Sequence, residues 1–172
     1  MLATRPISYA VLRGQVIDSD LVEFGGRGGG MAFLAPDPAE IVERLPLASP
    51  PLMGELYNIS FEDILDYLAE LGERLVLKDN PYLQDALAWS YDTAPTTRPI
   101  MDHFYHDLPF MFDKERIRGM VDFNIGIDHL ERWVETRING CNVGIRAYGA
   151  RTLHLVAGNG PVLGALTVIR GA

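Results

Sequence analysis

The sequence predicts an α+β chain, an incomplete α/β arrangement, on three observations. Short apolar stretches broken by glycine fill residues 7–34. A series of amphipathic helix patterns, each opened by a polar residue or a proline, fills residues 60–135. A glycine turn then joins an apolar stretch to a closing helix between Thr152 and Ala172. The expected divisions are a β region over 1–36, a helical segment over 37–142 and a closing strand-and-helix segment over 143–172, although 172 residues suit a single domain.

In the first division, "ISYAVLRGQVID" places Arg13-Gly14 at a hairpin turn, and "LVEF" and "MAFLA" read as short strands. Between the last two lies "GGRGGG", Gly25 to Gly30. A strand, not a helix, follows it, and Met31 stands where the third glycine of a G-x-G-x-x-G run from Gly26 and Gly28 would fall. A phosphate loop needs a helix N-terminus aimed at the anion, so the run reads as a hairpin loop. "DPAEIVERL" then suits a short helix with Pro38 in its first turn, and Pro50-Pro51 mark a connection into the helical part.

Ser60 is an N-cap for the first long helix, with Asp63 three residues on, close to a capping box. Phe61, Ile64, Leu65, Leu68, Leu71 and Leu75 share one face. Pro81 opens a second helix carrying Leu83, Ala86 and Leu87. Pro99 opens a third, broken near Pro109. Asp113 caps a fourth, with Ile117, Met120 and Val121 together, and Asp128 a short fifth, with Leu130, Trp133 and Val134 inward. From residue 143 the pattern returns to strand. "VGIRAYG" alternates and "RTLHLVA" is more continuously apolar, as a strand covered on both faces would be.

Composition excludes several function classes. The formal net charge is −8 with both signs mixed along the chain, which argues against a nucleic-acid surface or a polybasic membrane patch. A single cysteine excludes an internal disulfide and a cysteine-rich metal site, and implies a reducing, cytoplasmic setting. The N-terminal residues make a poor signal peptide. The tail from Leu153 to Ile169 is interrupted by His154, Gly158, Asn159, Gly160 and Pro161, too broken for a membrane span. No metal ligand set is expected. His103 and His106 in "DHFYHD" share a helix face but lack the spacing and the glutamate of H-E-x-x-H. Cys141 sits in a loop-like Asn-Gly-Cys-Asn stretch with no histidine within ten residues, and reads as incidental.

"VAGNGPV" is the stretch most suited to chemistry. Gly158 and Gly160 let backbone approach a ligand closely, and Pro161 suits a first helical position. Asn159 falls at the carboxyl end of the expected strand, where open α/β sheets bind ligands. Its amide could donate to a developing oxyanion, or it could cap the helix; spacing alone leaves both open.

Arg146-Ala147-Tyr148, His154, Ala157-Gly158-Asn159 and Pro161 together resemble the start of the cofactor domain in the acyl-CoA reductases, the family of the reductase subunit in the fatty-acid reductase complex of luminous bacteria, within the aldehyde dehydrogenase superfamily. The upstream order, a β-rich start with "GQV" and then helices, also agrees. Two positions depart from the family pattern: Gly149 where proline is usual and Gly160 where an apolar residue is usual. The resemblance implies an aldehyde-dehydrogenase-like first strand and helix, and a truncated Rossmann-like unit over 143–172. It implies reduction of a long-chain acyl-CoA, or another acyl thioester, to a fatty aldehyde with NADPH. Asn159 would be the oxyanion donor, with Ala157, Gly158, Asn159 and Pro161 on the cofactor side. Family members continue to a cofactor-binding lysine, a catalytic cysteine and an oligomerisation element. On this reading the chain corresponds to an N-terminal portion, inactive alone and holding NADPH weakly. The complete enzyme would be a homo-oligomer working beside acyl-transfer subunits. The alternative is a non-catalytic assembly or docking module, or a truncated relic; a downstream continuation carrying the lysine and cysteine separates the two.

Overall fold

Hairpins form early in the chain because glycine supplies the left-handed turn residues they need. The structure, a computed structural model, describes all residues except 1–4, 13, 27–30, 46–53, 55–56, 151, 153, 157–159 and 172. Strands β1 (Ala10–Leu12) and β2 (Gln15–Ile17) pair antiparallel, with Gly14 at φ +76° in the turn. Strands β3 (Leu21–Gly25) and β4 (Ala32–Pro36) pair antiparallel from Leu21↔Pro36 to Gly25↔Ala32. Gly25 has φ +81°, and a Cβ there would lie 2.6 Å from the Met31 carbonyl oxygen, so this end of the hairpin accepts only glycine. Ile7 bridges Leu34 in parallel on the other side of β4. A short helix, α1 (Pro38–Ile41), follows with Asp37 as its N-cap and Pro38 at its start, and a 3₁₀ turn (Val42–Arg44) extends it.

Residues 1–53 and 54–172 form two separate compact units, where length alone suited one domain. Helix α2 (Phe61–Arg74) organises the second. Its N-cap Ser60 accepts from the Asp63 N–H, and the Ser60 hydroxyl donates to the Asp63 carboxylate at 2.6 Å, a local bond in place of the full capping box. After a 3₁₀ turn (Leu77–Asp79), Asn80 caps α3 (Pro81–Thr93) by accepting from the Leu83 N–H, while its own amide donates to the Arg74 carbonyl at the end of α2. Helix α4 (Arg98–His106) breaks into the short α5 (Leu108–Met111) around Pro109. Asp113 caps α6 (Lys114–Asn124).

The core of this unit is built from α2 (Phe61, Leu65, Leu68), α4 (Met101, Tyr105), α5 (Leu108), Phe112, α6 (Ile117) and Ala165. Each buried leucine of this kind contributes about 1.5–3 kcal/mol relative to exposure. Gly72 is the close-approach point of the core: a Cβ there would fall 2.6 Å from that of Phe112.

From residue 120 onward the architecture departs from the sequence expectation. Met120 is exposed, while Ile117 and Val121 join the core. Gly126, not Asp128, stands at the N-cap of α7 (Ile127–Glu131), and Asp128 lies in its first turn. The chain then forms a hairpin of β5 (Val134–Ile138) and β6 (Cys141–Ile145), so strand structure begins nine residues before 143. Trp133 precedes β5 and is 59% exposed rather than inward. Asn139 (φ +51°) and Gly140 (φ +83°) make the turn, and Cys141 opens β6 opposite Ile138 rather than lying in a loop. Within the expected strand "RTLHLVA", residues 152 and 154–156 are not in a strand, and Leu155 is 92% exposed. A strand is defined by its ladder, and among the described residues no neighbour pairs with this stretch. Helix α8 (Pro161–Gly171) forms as expected and packs on α4 and α5. Among the described residues no helix is long and apolar enough to cross a membrane. Antiparallel hairpins together with a set of packed helices make the described architecture α+β.

Candidate functional site

Four residues carry the assigned chemistry, and one of them is described. Pro161 is half-buried at the first position of α8. Ala157, Gly158 and Asn159 lie outside the described residues. Gly160, just before the helix, faces the Phe104 ring of α4. A Cβ there would meet ring carbons at 3.6–3.7 Å, ordinary contact, so this position does not require glycine for close approach. On the approach to the turn, the Thr152 hydroxyl lies 3.1 Å from Nε2 of His154.

The stretch leading into this turn is held by backbone and side-chain groups from distant parts of the unit. The Ala147 N–H donates to the His129 carbonyl of α7 at 2.7 Å, and the Tyr57 hydroxyl donates to the Gly149 carbonyl at 3.0 Å. Tyr148 is the centre of an aromatic group. The Tyr57 ring meets it edge-on at 5.0 Å between centroids and the Trp133 indole at 6.3 Å, both within the range in which aromatic pairs attract. The Arg146 guanidinium lies 5.1 Å from the Tyr148 ring centre. Trp133 packs on Gly144, where a Cβ would come within 3.3 Å of the indole. Nε of Arg146 and Nδ1 of His129 are buried, with no hydrogen-bond partner among the described residues.

The other flagged residues lie apart from this stretch. His103 and His106 do share α4, with His103 Nε2 3.2 Å from the Asp107 carboxylate on an exposed face. Among the described residues no three His, Cys, Asp or Glu side chains are grouped to hold a metal. Cys141 is an exposed free thiol. Of the "GGRGGG" run, Gly25 ends β3, and Gly26 (φ +72°) donates to the Met31 carbonyl at 3.0 Å; residues 27–30 lie outside the described ones.

Sequence reasoning passed over the aromatic group around Tyr148. Asn139-Gly140, a strong hairpin signal, marked the turn that folds β6 back on β5 and so brings Trp133 and Tyr148, at the two ends of the hairpin, together. Compared with family models, curated proteins and solved structures, the chain matches none.

Proposed function

We propose that this chain contributes the N-terminal portion of an NADPH-dependent long-chain acyl thioester reductase that forms a fatty aldehyde in the cytoplasm. The observation that carries this reading is the run from Arg146-Ala147-Tyr148 through His154 to Ala157-Gly158-Asn159 and Pro161. Hairpins followed by a helical layer, and a helix opening at Pro161, are in keeping with it.

In the proposed reaction a cysteine thiolate from the family's downstream sequence attacks the thioester carbonyl. Charge builds on the carbonyl oxygen, and the coenzyme A thiolate leaves. Asn159 donates its amide hydrogen to that oxygen, a preorganised donor where charge develops. When bound, NADPH would supply a hydride to the acyl carbon of the thioacyl-enzyme, the C–S bond then breaking to release the aldehyde and return the cysteine thiolate. The first turn of α8, opened by Pro161, has backbone N–H groups without intrahelical acceptors, a donor set that suits a phosphorylated cofactor. Ala157, Gly158, Asn159 and Pro161 are the residues proposed on that side.

In the completed enzyme, Asn159→Ala lowers kcat by about 10²–10³ and leaves acyl-CoA affinity nearly unchanged, because the donor acts mainly in the transition state. A residue that only caps the helix would instead cost about 1 kcal/mol of stability and spare turnover. Turnover and unfolding midpoint on the one variant separate these outcomes. The 172-residue chain alone is expected to show no steady NADPH oxidation with a long-chain acyl-CoA. Oxidation abolished by Cys141→Ala would overturn the assignment of the nucleophile to downstream sequence.

A further inference from the structure

Charged groups removed from water are expected to be paired. Among the described residues of the second unit, three Lys or Arg side chains are half-buried, and two of them obey. Lys114 lies between Glu62 and Asp66, and Arg118 binds Glu62 at 2.5 Å. Arg146 is the third. Among the described residues it has no carboxylate within ion-pair distance and no hydrogen bond, and its Nε is buried. What it does have is aromatic surface: Tyr148 under its guanidinium, then Tyr57 and Trp133 around Tyr148. These rings are held in place by backbone, through Tyr57 to Gly149 and Trp133 on Gly144, yet remain 37%, 59% and 50% exposed for Tyr57, Trp133 and Tyr148. A cation with no carboxylate beside it among the described residues, next to open, fixed rings, suits a molecule that carries an anion and a flat ring together.

We propose that Arg146, Tyr148, Trp133 and Tyr57 form a binding site for a phosphorylated adenosine, the purine stacking on the exposed rings and a phosphate accepting from the guanidinium. The choice of adenosine rests on the proposed reaction, whose two substrates both carry one: acyl-CoA with a 3′-phosphate and NADPH with a 2′-phosphate. In sequence the site precedes the turn, following β6, whereas Pro161 opens α8 after it.

The test uses the whole chain with Trp89→Phe, so that Trp133 is its one tryptophan. Adenosine 3′,5′-bisphosphate and adenosine 2′,5′-bisphosphate are titrated against its fluorescence at low salt, beside adenosine and inorganic phosphate. Saturable quenching is expected with at least one bisphosphate. Adenosine or phosphate alone should bind at least tenfold more weakly. A tighter 3′ form identifies the coenzyme A end, and a tighter 2′ form NADPH. Arg146→Gln and Tyr148→Ala should each weaken binding about tenfold, while Tyr148→Phe retains it. Arg146→Lys, which keeps the charge but loses the planar fork, should fall between and serves if Arg146→Gln does not fold. No saturable quenching, phosphate binding as tightly as the bisphosphates, or binding indifferent to the Arg146 and Tyr148 variants overturns the site. Bisphosphate binding with no acyl-CoA-dependent NADPH oxidation by the completed enzyme would leave this site standing and remove the reductase reading. Turnover that depends on Asn159 without bisphosphate binding would do the reverse.

Discussion

Lys114 and Arg146 are half-buried cations in the same compact unit, and their surroundings are opposite. Around Lys114, helices α2 and α6 bring up Glu62 and Asp66, with Arg118 and Glu115 extending the network. The apolar faces beneath are buried to the last few per cent, and the helix ends are capped by Ser60 and Asp113. Around Arg146 no described acid stands, three aromatic rings are open to water, and the next residues follow no ladder. The first region closes on itself, so every interaction there serves stability. In the second, the described residues leave the Arg146 guanidinium without a carboxylate and three rings exposed, which is where the proposed ligand would gain most.

The largest expected effect marks the two regions by size. Leu65 is fully buried in α2, and Leu65→Ala should cost about 2–5 kcal/mol of unfolding free energy. Leu155→Ala, in the second region, should change it by no more than about 0.5 kcal/mol. Urea midpoints on both variants measure the contrast. Equal losses would mean that the stretch before the turn is as well packed as the helical core.

A smaller effect sharpens the picture inside the helices. Gly119→Ala in α6 meets no atom within 4 Å, so the gain in helix propensity stands alone, up to about 1 kcal/mol. Gly72→Ala in α2 gains the same propensity but forces Phe112 to move, and overpacking of this kind costs about 1–3 kcal/mol. The second substitution should therefore destabilise while the first stabilises, a difference of sign that thermal midpoints resolve.

The smallest effect is electrostatic. Hydrogen bonds from Lys114 and then Arg118 hold the Glu62 carboxyl below its ordinary value. A folded-state value below the unfolded one gives stability that is present above the unfolded pKa and lost as pH falls through the folded one. Glu62→Gln should flatten that part of the acid limb of a stability–pH curve. Glu62 itself is about half exposed to water, so the change is modest and fades with added salt. An unchanged acid limb would show that the network around Lys114 is no better paired than open surface.

The helical region was legible because its signals are local. Ser60, Pro81, Pro99 and Asp113 each mark a start through their own backbone chemistry, and Phe61, Leu65 and Leu68 recur at helical spacing. The hairpin of β5 and β6 was obscured because Leu130, Trp133 and Val134 also fit an i, i+3, i+4 stripe. The Asn139-Gly140 turn outweighs that stripe once the chain can double back. "RTLHLVA" misled for a different reason. Apolar residues in sequence do not make a strand without a ladder partner, and partners are a property of the whole sheet. The aromatic group around Tyr148 depends on contacts between residues as far apart as Tyr57 and Gly149, which no spacing rule reveals.

One bond of the helical layer also sets a clock. The Phe61 N–H, in the first turn of α2, is satisfied by the carboxylate of Glu131 at 2.6 Å, seventy positions later in the chain. During synthesis at about 5–20 residues per second, that acceptor is made roughly 4–14 s after the donor. For that interval the nascent helix presents this donor to water, with Ser60 capping the Asp63 N–H beside it. The first turn of α2 is thus among the earliest structure the chain can form and among the last it can finish.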